Sequence, residues 1–229
     1  MLKKALSVMG VVLILIVLQS CQSKPEKGLL MRYFHAVTLN DVKTMSTMAL
    51  KPVKMEVVSW EITKVAEEKV EPATLPELEI KEKEFKKKLE EHVAPTVEAD
   101  DALYVAKEKL RAARTRAAKR AAQREVDAAQ AKFDEERELH RHLQKSYNEA
   151  KAAAGREEEI SIFSLGPGEL PNIRTMEGET HSKEVEVKIK SKTATKSYNF
   201  SLRKYDLRDE ALSRTYRGRW IIIVIESLS

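Results

Sequence analysis

Residues 218–226 read Gly-Arg-Trp-Ile-Ile-Ile-Val-Ile-Glu, and this apolar stretch decides the fold class. A continuous apolar run rich in β-branched side chains is typical of a strand that is covered on both faces, or nearly so. Working backwards, a second apolar run at 160–165 also predicts a strand. Two further segments alternate apolar and polar residues with the period of a half-buried strand, and we expect a short turn between them near 191–193. Their apolar members are Val185, Val187, Ile189, Tyr198, Phe200 and Leu202.

Helical spacing and alternation both occur between residues 28 and 66. Apolar residues recur every three or four positions from Leu29 to Val37, which predicts an amphipathic helix. Asn40-Asp41 interrupts this pattern and is a plausible N-cap for a second short helix that Pro52 ends. Alternation over residues 53–66 then predicts a strand. The predicted order of elements in this part of the chain is therefore helix, short helix and strand.

A long helical block separates these two strand-bearing parts. After a linker at 67–76, residues 77–154 contain no glycine and only one proline, Pro95. Gly155 is a natural C-cap at the end of this block. A helix of about 55 residues would reach roughly 80 Å, so the block either projects as a rod or folds back as a hairpin. Its second half shows a heptad seam, formed by Val126, Ala129, Phe133, Glu136, His140, Leu143, Tyr147 and Ala150.

The order of elements on either side of this block resembles the NTF2-like superfamily. The resemblance rests on Tyr33-Phe34-His35-Ala36-Val37, on Leu39-Asn40-Asp41-Val42, and on the Gly-Arg-Trp ending at 218–226. It implies a curved antiparallel sheet packed on N-terminal helices. The α+β domain would be discontinuous, comprising residues 28–71 and 156–229. Residues 72–155 would form a helical, coiled-coil insertion that has no counterpart in the superfamily.

The same resemblance implies an open, cone-shaped pocket. Enzymes of the superfamily place Asp, His or Tyr in that cone, and the candidates by residue type are His35, Trp60 and Tyr198. No Asp–His pair occurs at a recognisable family spacing, so no catalytic residue is assigned.

The first 27 residues predict a membrane-tethered protein. Lys3 and Lys4 precede an apolar run of 14 residues, which is too short for a spanning helix and typical of a signal peptide. Leu18-Gln19-Ser20-Cys21 resembles the lipobox of bacterial lipoproteins. That resemblance implies a signal peptide at 1–20, cleavage between Ser20 and Cys21, and lipidation of Cys21. A polar tether would follow at 21–27. We therefore expect a lipid anchor in the cell envelope, facing the periplasm or exterior. The outer membrane is favoured if two membranes are present.

Cys21 is the single cysteine, which excludes an intramolecular disulfide and a cysteine metal cluster. His140 and His142 are two residues apart on a helix and point in different directions, so they do not share a metal. We expect no metal and no cofactor.

A basic run lies in the middle of the helical block. Between residues 107 and 124 there are eight basic side chains and one acidic side chain, Glu108. Such a run either attracts anions or is simply a solvated helix surface. Nucleic acid is not expected as the anion for a protein tethered outside the cytoplasm. The basic residues are Lys107, Lys109, Arg111, Arg114, Arg116, Lys119, Arg120 and Arg124.

The sequence therefore predicts a non-enzymatic envelope lipoprotein, with a protein partner or self-association through the helical block. Two alternatives remain open at this stage. One is an NTF2-like enzyme or small-ligand carrier that uses the cone. The other is a structural spacer between membrane and cell wall.

Overall fold

The computed structural model describes residues 24–168 and 170–228. The predicted signal peptide and the predicted lipobox residues, Ser20 and Cys21, lie outside this part of the chain. The fold class is α+β, as predicted, with a curled antiparallel half-barrel sheet and one long helix. The helices are α1 (Pro25–Thr38), α2 (Val42–Met45), α3 (Leu75–Glu91), α4 (Val93–Ala112) and α5 (Arg116–Leu165); a 3₁₀ turn spans Ile173–Thr175. The strands are β1 (Ser59–Val65), β2 (Lys69–Pro72), β3 (Glu177–Lys190), β4 (Thr195–Asp209), β5 (Arg214–Arg217) and β6 (Ile221–Leu228).

The sheet is built on the long β3–β4 hairpin. These strands pair from Glu177–Arg208 to Lys190–Thr195, and residues 191–194 form the predicted turn. On the outer side of β3, β1 pairs near the turn and β2 pairs at the opposite end. On the outer side of β4, β6 pairs near the turn and β5 pairs at the opposite end. The strand predicted at 53–66 therefore shares a sheet with the later strands, although it begins only at Ser59.

The main hydrophobic core lies between α1 and the half of the sheet near this turn. Phe34 packs edge-on against Phe200 and stacks on Trp60 with 4.7 Å between ring centroids. The Tyr33 hydroxyl accepts a hydrogen bond from the backbone N–H of Val53, which fixes the segment before β1. Burial of several aromatic rings stabilises this core strongly, because each ring removes a large apolar area from water.

A second, smaller core occupies the other end of the β3–β4 hairpin. Tyr205 and Leu207 are buried there, whereas Phe200 and Leu202 are buried in the main core. The change from even to odd positions along β4 means that the two cores lie on opposite faces of the sheet. This second core is where the helical block meets the sheet; its other buried members are Leu75, Ile173 and Met176.

The helical block is an antiparallel hairpin. α3 and α4 follow one another almost without interruption and both pack along α5, with the chain reversal at residues 113–115. Residues at alternating steps of three and four are less exposed than their neighbours over the whole length of both arms. In α5 these positions include every residue of the predicted heptad seam. The question of rod or hairpin is thus settled by the tertiary structure.

The predicted end of the helix at Gly155 is wrong. α5 continues to Leu165, so residues 160–165 are helical and not a strand. The 4-3 spacing of buried positions continues through Ala154, Glu157, Ser161 and Ser164, where the partner of α5 changes from α3 to the sheet. Burial of these positions outweighs the helix-breaking tendency of one glycine, about 1 kcal/mol. The domain boundary predicted at 155/156 consequently falls inside a helix.

Three other predictions need correction. α1 begins at Pro25, within the predicted tether, because proline is well suited to the first helical turn. The helical spacing of Leu78, Phe85, Leu89 and Val93 predicts an apolar stripe before Pro95, but Val93 is exposed. His92 and Thr96 occupy the seam instead. In β6, Ile221 and Ile222 are buried but Val224 is 42% exposed, so only the first part of the run is covered on both faces. A bulge opposite Ser201–Leu202 causes this change of phase.

Candidate functional site

The helical hairpin is joined to the sheet by a cluster of ion pairs around Arg174, which lies in the 3₁₀ turn before β3. The guanidinium lies 2.8 Å from a carboxylate oxygen of each of Glu79, Glu82 and Glu158. Glu79 and Glu82 belong to α3, and Glu158 belongs to α5. Because one cation in the 3₁₀ turn binds both helices, it fixes their position relative to the second core. The hydrogen bond from Arg174 is the main reason why the pKa of Glu79 is below its usual value.

A second set of contacts joins α5 directly to the sheet. The Tyr205 hydroxyl donates to Oε1 of Glu157, and Arg203 donates to Oε2 of the same carboxylate at 3.1 Å. Ser164, which is fully buried, accepts a hydrogen bond from the Tyr205 backbone N–H and donates to the carbonyl of Arg219. The helix α5 is therefore hydrogen-bonded to β4 and to the segment before β6.

The predicted basic residues lie together at the tip of the hairpin. Residues 107–111 end α4, Arg114 lies in the turn, and the remaining four begin α5. All eight side chains are exposed. From Glu157 back to Arg116 the helix rises by about 60 Å at 1.5 Å per residue, so the tip lies far from the sheet. The chain reversal brings the basic residues at the end of α4 beside those at the start of α5. The positive charge is therefore concentrated at the tip.

Helical spacing divides the basic residues of α4 between two sides of the seam. Successive residues turn by about 100°, so Lys107, four residues after buried Leu103, lies on one flank, and Arg111 follows it one turn later. Lys109 lies on the opposite flank, where its Nζ is 3.0 Å from Oε2 of Glu125. One flank therefore carries an ion pair that neutralises its lysine.

In α5, the buried Ala122 marks the seam. Lys119 and Glu125 lie three residues before and after it and so fall on opposite flanks. Since Glu125 meets Lys109, Lys119 must lie on the flank of Lys107. Measured from Ala122, Lys119 is turned by about 60°, Arg116 by about 120° in the same direction, and Arg120 by about 160°, at the outer edge of that side. We call this set the basic flank: Lys107, Arg111, Arg116, Lys119 and Arg120.

The three residues predicted for a cone-shaped pocket are placed differently from one another. Trp60 and Tyr198 are half-buried and pack against the main core, with Trp60 stacked on Phe34. His35 is exposed on the other side of α1 and lines a surface groove of about 440 Å³ together with Arg32 and Trp220. The fold therefore does not bring His35 to the face of the sheet that holds Trp60 and Tyr198.

The sequence analysis did not predict a chain of ionic contacts that begins at Glu26, in the first turn of α1, and continues across the sheet to Asp206. Glu26 is almost fully buried and lies 3.6 Å from Lys183, which also contacts Glu68 at 3.0 Å. Glu68 accepts from Nδ1 of His181 at 2.7 Å, and His181 faces Asp206 on its other side. Burial favours a raised pKa for Glu68, but Lys183 and His181 outweigh it and leave the pKa lowered. Because side chains alternate along β3, His181 and Lys183 lie on the same face of the strand as Val185. This alternation is the sequence signal that could have located the two residues.

Comparisons with protein-family models, with curated proteins and with solved structures found no match to this chain. Across residues 24–168 and 170–228, no helix is both long enough and apolar enough to cross a membrane.

Proposed function

We propose that this chain is a lipid-anchored protein of the bacterial cell envelope that uses its helical hairpin as a non-enzymatic interaction arm. The observation that carries this proposal is the arm itself: α3 and α4 run antiparallel to α5, the hairpin is fixed to the sheet at one end, and it is charged at the other. The lipobox supplies the anchor at Cys21. An NTF2-like base, as the sequence suggests, would serve as the platform between anchor and arm.

The attachment of the arm supports a role that needs a defined direction. Arg174 ties both helices to the 3₁₀ turn, and Tyr205 ties α5 to the central strand. Buried and charge-assisted contacts of this kind hold an element more firmly than exposed ion pairs do. A rigid arm presents its tip at a fixed distance from the base, whereas a flexible linker would sample many distances.

The anchor and the base lie close together in the proposed arrangement. α1 begins at Pro25, four residues after Cys21, and four residues span at most about 14 Å. The ionic contact of buried Glu26 with Lys183 then fixes the first turn of α1 to the sheet. A lipid on Cys21 would hold the base at the membrane surface, and the arm would extend from it.

The anchor is tested by fractionation of the full chain in a bacterial host. We expect wild type in the membrane fraction with a mass shift from acylation, and Cys21→Ala without that shift. Lys24→Ala is the matched control, since it alters the tether and leaves the lipobox intact. Unchanged mass and fractionation of the Cys21→Ala variant would contradict the anchor.

The interaction arm is tested by photo-crosslinking in living cells. A photoreactive residue at exposed Ala117, beside the tip, should give crosslinks to an envelope component, and the same residue at exposed Lys192 should give few. Ala117 follows the turn between α4 and α5, while Lys192 lies in the β3–β4 turn. Equal or absent crosslinking at both positions would count against an arm that works through its tip.

A structural spacer is the second candidate, and the length of the arm favours it. Deleting residues 96–102 together with 126–132 removes one heptad from each helix, keeps the seam in register and shortens the arm by about 10 Å. If the arm acts through its tip alone, crosslinking from position 117 should persist after this deletion. If the arm sets a distance, the shortened tip should no longer reach its target. Loss of the tip crosslinks on shortening would favour the spacer.

A further inference from the structure

We propose that the basic flank of the hairpin tip docks on an anionic phospholipid bilayer. This inference rests on the proposed function, because it names the partner of the interaction arm. It starts from an asymmetry among the described residues of the tip: Lys109 on one flank pairs with Glu125, whereas most cations of the basic flank have no ion-pair partner. Of its five side chains only Arg111 forms an ion pair, with Glu108, among the described residues.

The composition of the tip favours a surface of repeated anions over a shaped ligand. Residues 107–124 contain six alanines and no aromatic residue, and the largest apolar side chain is Leu110. A peptide-binding surface would offer large apolar or aromatic anchors. Single-stranded nucleic acid is bound with stacking platforms, which residues 107–124 do not provide. Attraction by charge alone matches lipid head groups, which present many anions without a fixed arrangement.

The shape of the site also fits a flat partner. The cationic side chains extend from two antiparallel helices on one side of the seam, so they form a single broad face. Acidic residues of this side, Asp100 of α4 and Asp127 and Asp134 of α5, lie farther from the tip, in the part of both arms between tip and sheet that we call the shaft. Asp127 and Asp134 accept hydrogen bonds from Gln123 and Gln130. Lysine and arginine side chains near a bilayer are attracted by its negative surface potential, and several act together within a Debye length.

The test is sedimentation of residues 22–229, which contain every described helix and strand, with vesicles of known composition. At about 50 mM NaCl we expect binding to vesicles with 30% phosphatidylglycerol and none to pure phosphatidylcholine. Binding should fall at least tenfold at about 300 mM NaCl, because screening shortens the reach of the field.

Variants then locate the surface. Replacing Lys107, Arg116, Lys119 and Arg120 with Gln should reduce binding at least tenfold. The matched control replaces four exposed cations of the shaft, Lys87, Lys132, Arg141 and Lys145, and changes the net charge equally. The control should bind almost as wild type, and circular dichroism should show equal helix content in all three proteins.

Two results would overturn the inference. One is equal binding by the flank variant and the shaft variant, which would mean that net charge and not the flank decides. The other is an absence of binding to anionic vesicles at low salt. Retention on an immobilised anionic polymer or capture of an acidic protein would then identify a different partner. The proposed function fails separately, through absent crosslinking at position 117. Crosslinks at 117 to protein alone would remove the lipid inference and leave the interaction arm in place.

Discussion

The hydroxyl of Tyr205 donates a 2.7 Å hydrogen bond to Oε1 of Glu157, and this bond joins the central strand β4 to the shaft of the hairpin. Burial raises the pKa of the Tyr205 phenol, and the adjacent Glu157 carboxylate raises it further. The phenol therefore stays protonated and remains a donor over the whole neutral range. Residues 48 positions apart in sequence are thus held together at the point where the arm leaves the sheet.

Tyr205→Phe should destabilise the protein by about 1–3 kcal/mol. The half-buried Glu157 carboxylate loses its phenol donor and keeps only Arg203, and a charged acceptor left short of a partner is costly. Urea unfolding of residues 22–229 measures the change. Tyr104→Phe is the matched control, because Tyr104 is 65% exposed. A similar loss in both variants would show that the bond contributes little.

The ion-pair cluster at Arg174 should make stability depend on pH. Arg174 lowers the pKa of Glu79 in the folded state, so the contribution of Glu79 is present above its unfolded pKa of about 4.5 and is lost as pH falls through the lower folded value. Arg174→Gln should be less stable than wild type at pH 7. The difference should shrink below about pH 4, as Glu79 becomes protonated. A difference that is independent of pH from 7 to 3 would contradict this reading.

Gly218→Ala should destabilise the junction between α5 and the sheet. A Cβ at this position would lie 2.4 Å from Oγ of Ser164 and 2.6 Å from the carbonyl oxygen of Tyr205. The backbone oxygen cannot move without disturbing β4, and overpacking of this kind costs about 1–3 kcal/mol. Gly28→Ala is the control, since a Cβ there has no neighbour within 4 Å. Thermal unfolding should separate the two variants by several degrees, and equal melting temperatures would refute the argument.

Gly155→Ala should stabilise the protein. Gly155 lies inside α5, and an added Cβ meets nothing within 4 Å. Alanine restricts the unfolded chain and favours the helix, for a gain of about 0.5–1 kcal/mol. Urea unfolding should shift to higher concentration with the slope unchanged. A loss of stability would contradict the prediction, because it would mean that a Cβ at position 155 meets a neighbouring atom in the folded protein.

The secondary structure follows largely from local periodicity. The spacing from Val126 to Ala150 predicts the seam of α5, and the alternation around Val187 and Phe200 predicts the two long strands. The errors come from residues whose local preference was overridden. Gly155 lies within α5 because the buried positions continue to Ser164, and His92 replaces Val93 on the seam because the 4-3 spacing runs on from α3 into α4.

For the candidate site, the sequence determined which residues are charged and tertiary structure decided where the charges meet. The eight cations between 107 and 124 are a property of the sequence, as are the lipobox-like stretch that ends at Cys21 and the apolar run after Trp220. The reversal at 113–115 brings the end of α4 beside the start of α5, and only then do Lys107 and Lys119 share a flank while Lys109 and Glu125 pair on the other. Such contacts depend on side-chain direction across two helices, which the spacing within one helix does not fix. The contacts of Arg174 and Tyr205 with the hairpin have the same origin, since they join segments far apart in sequence through packing on one sheet.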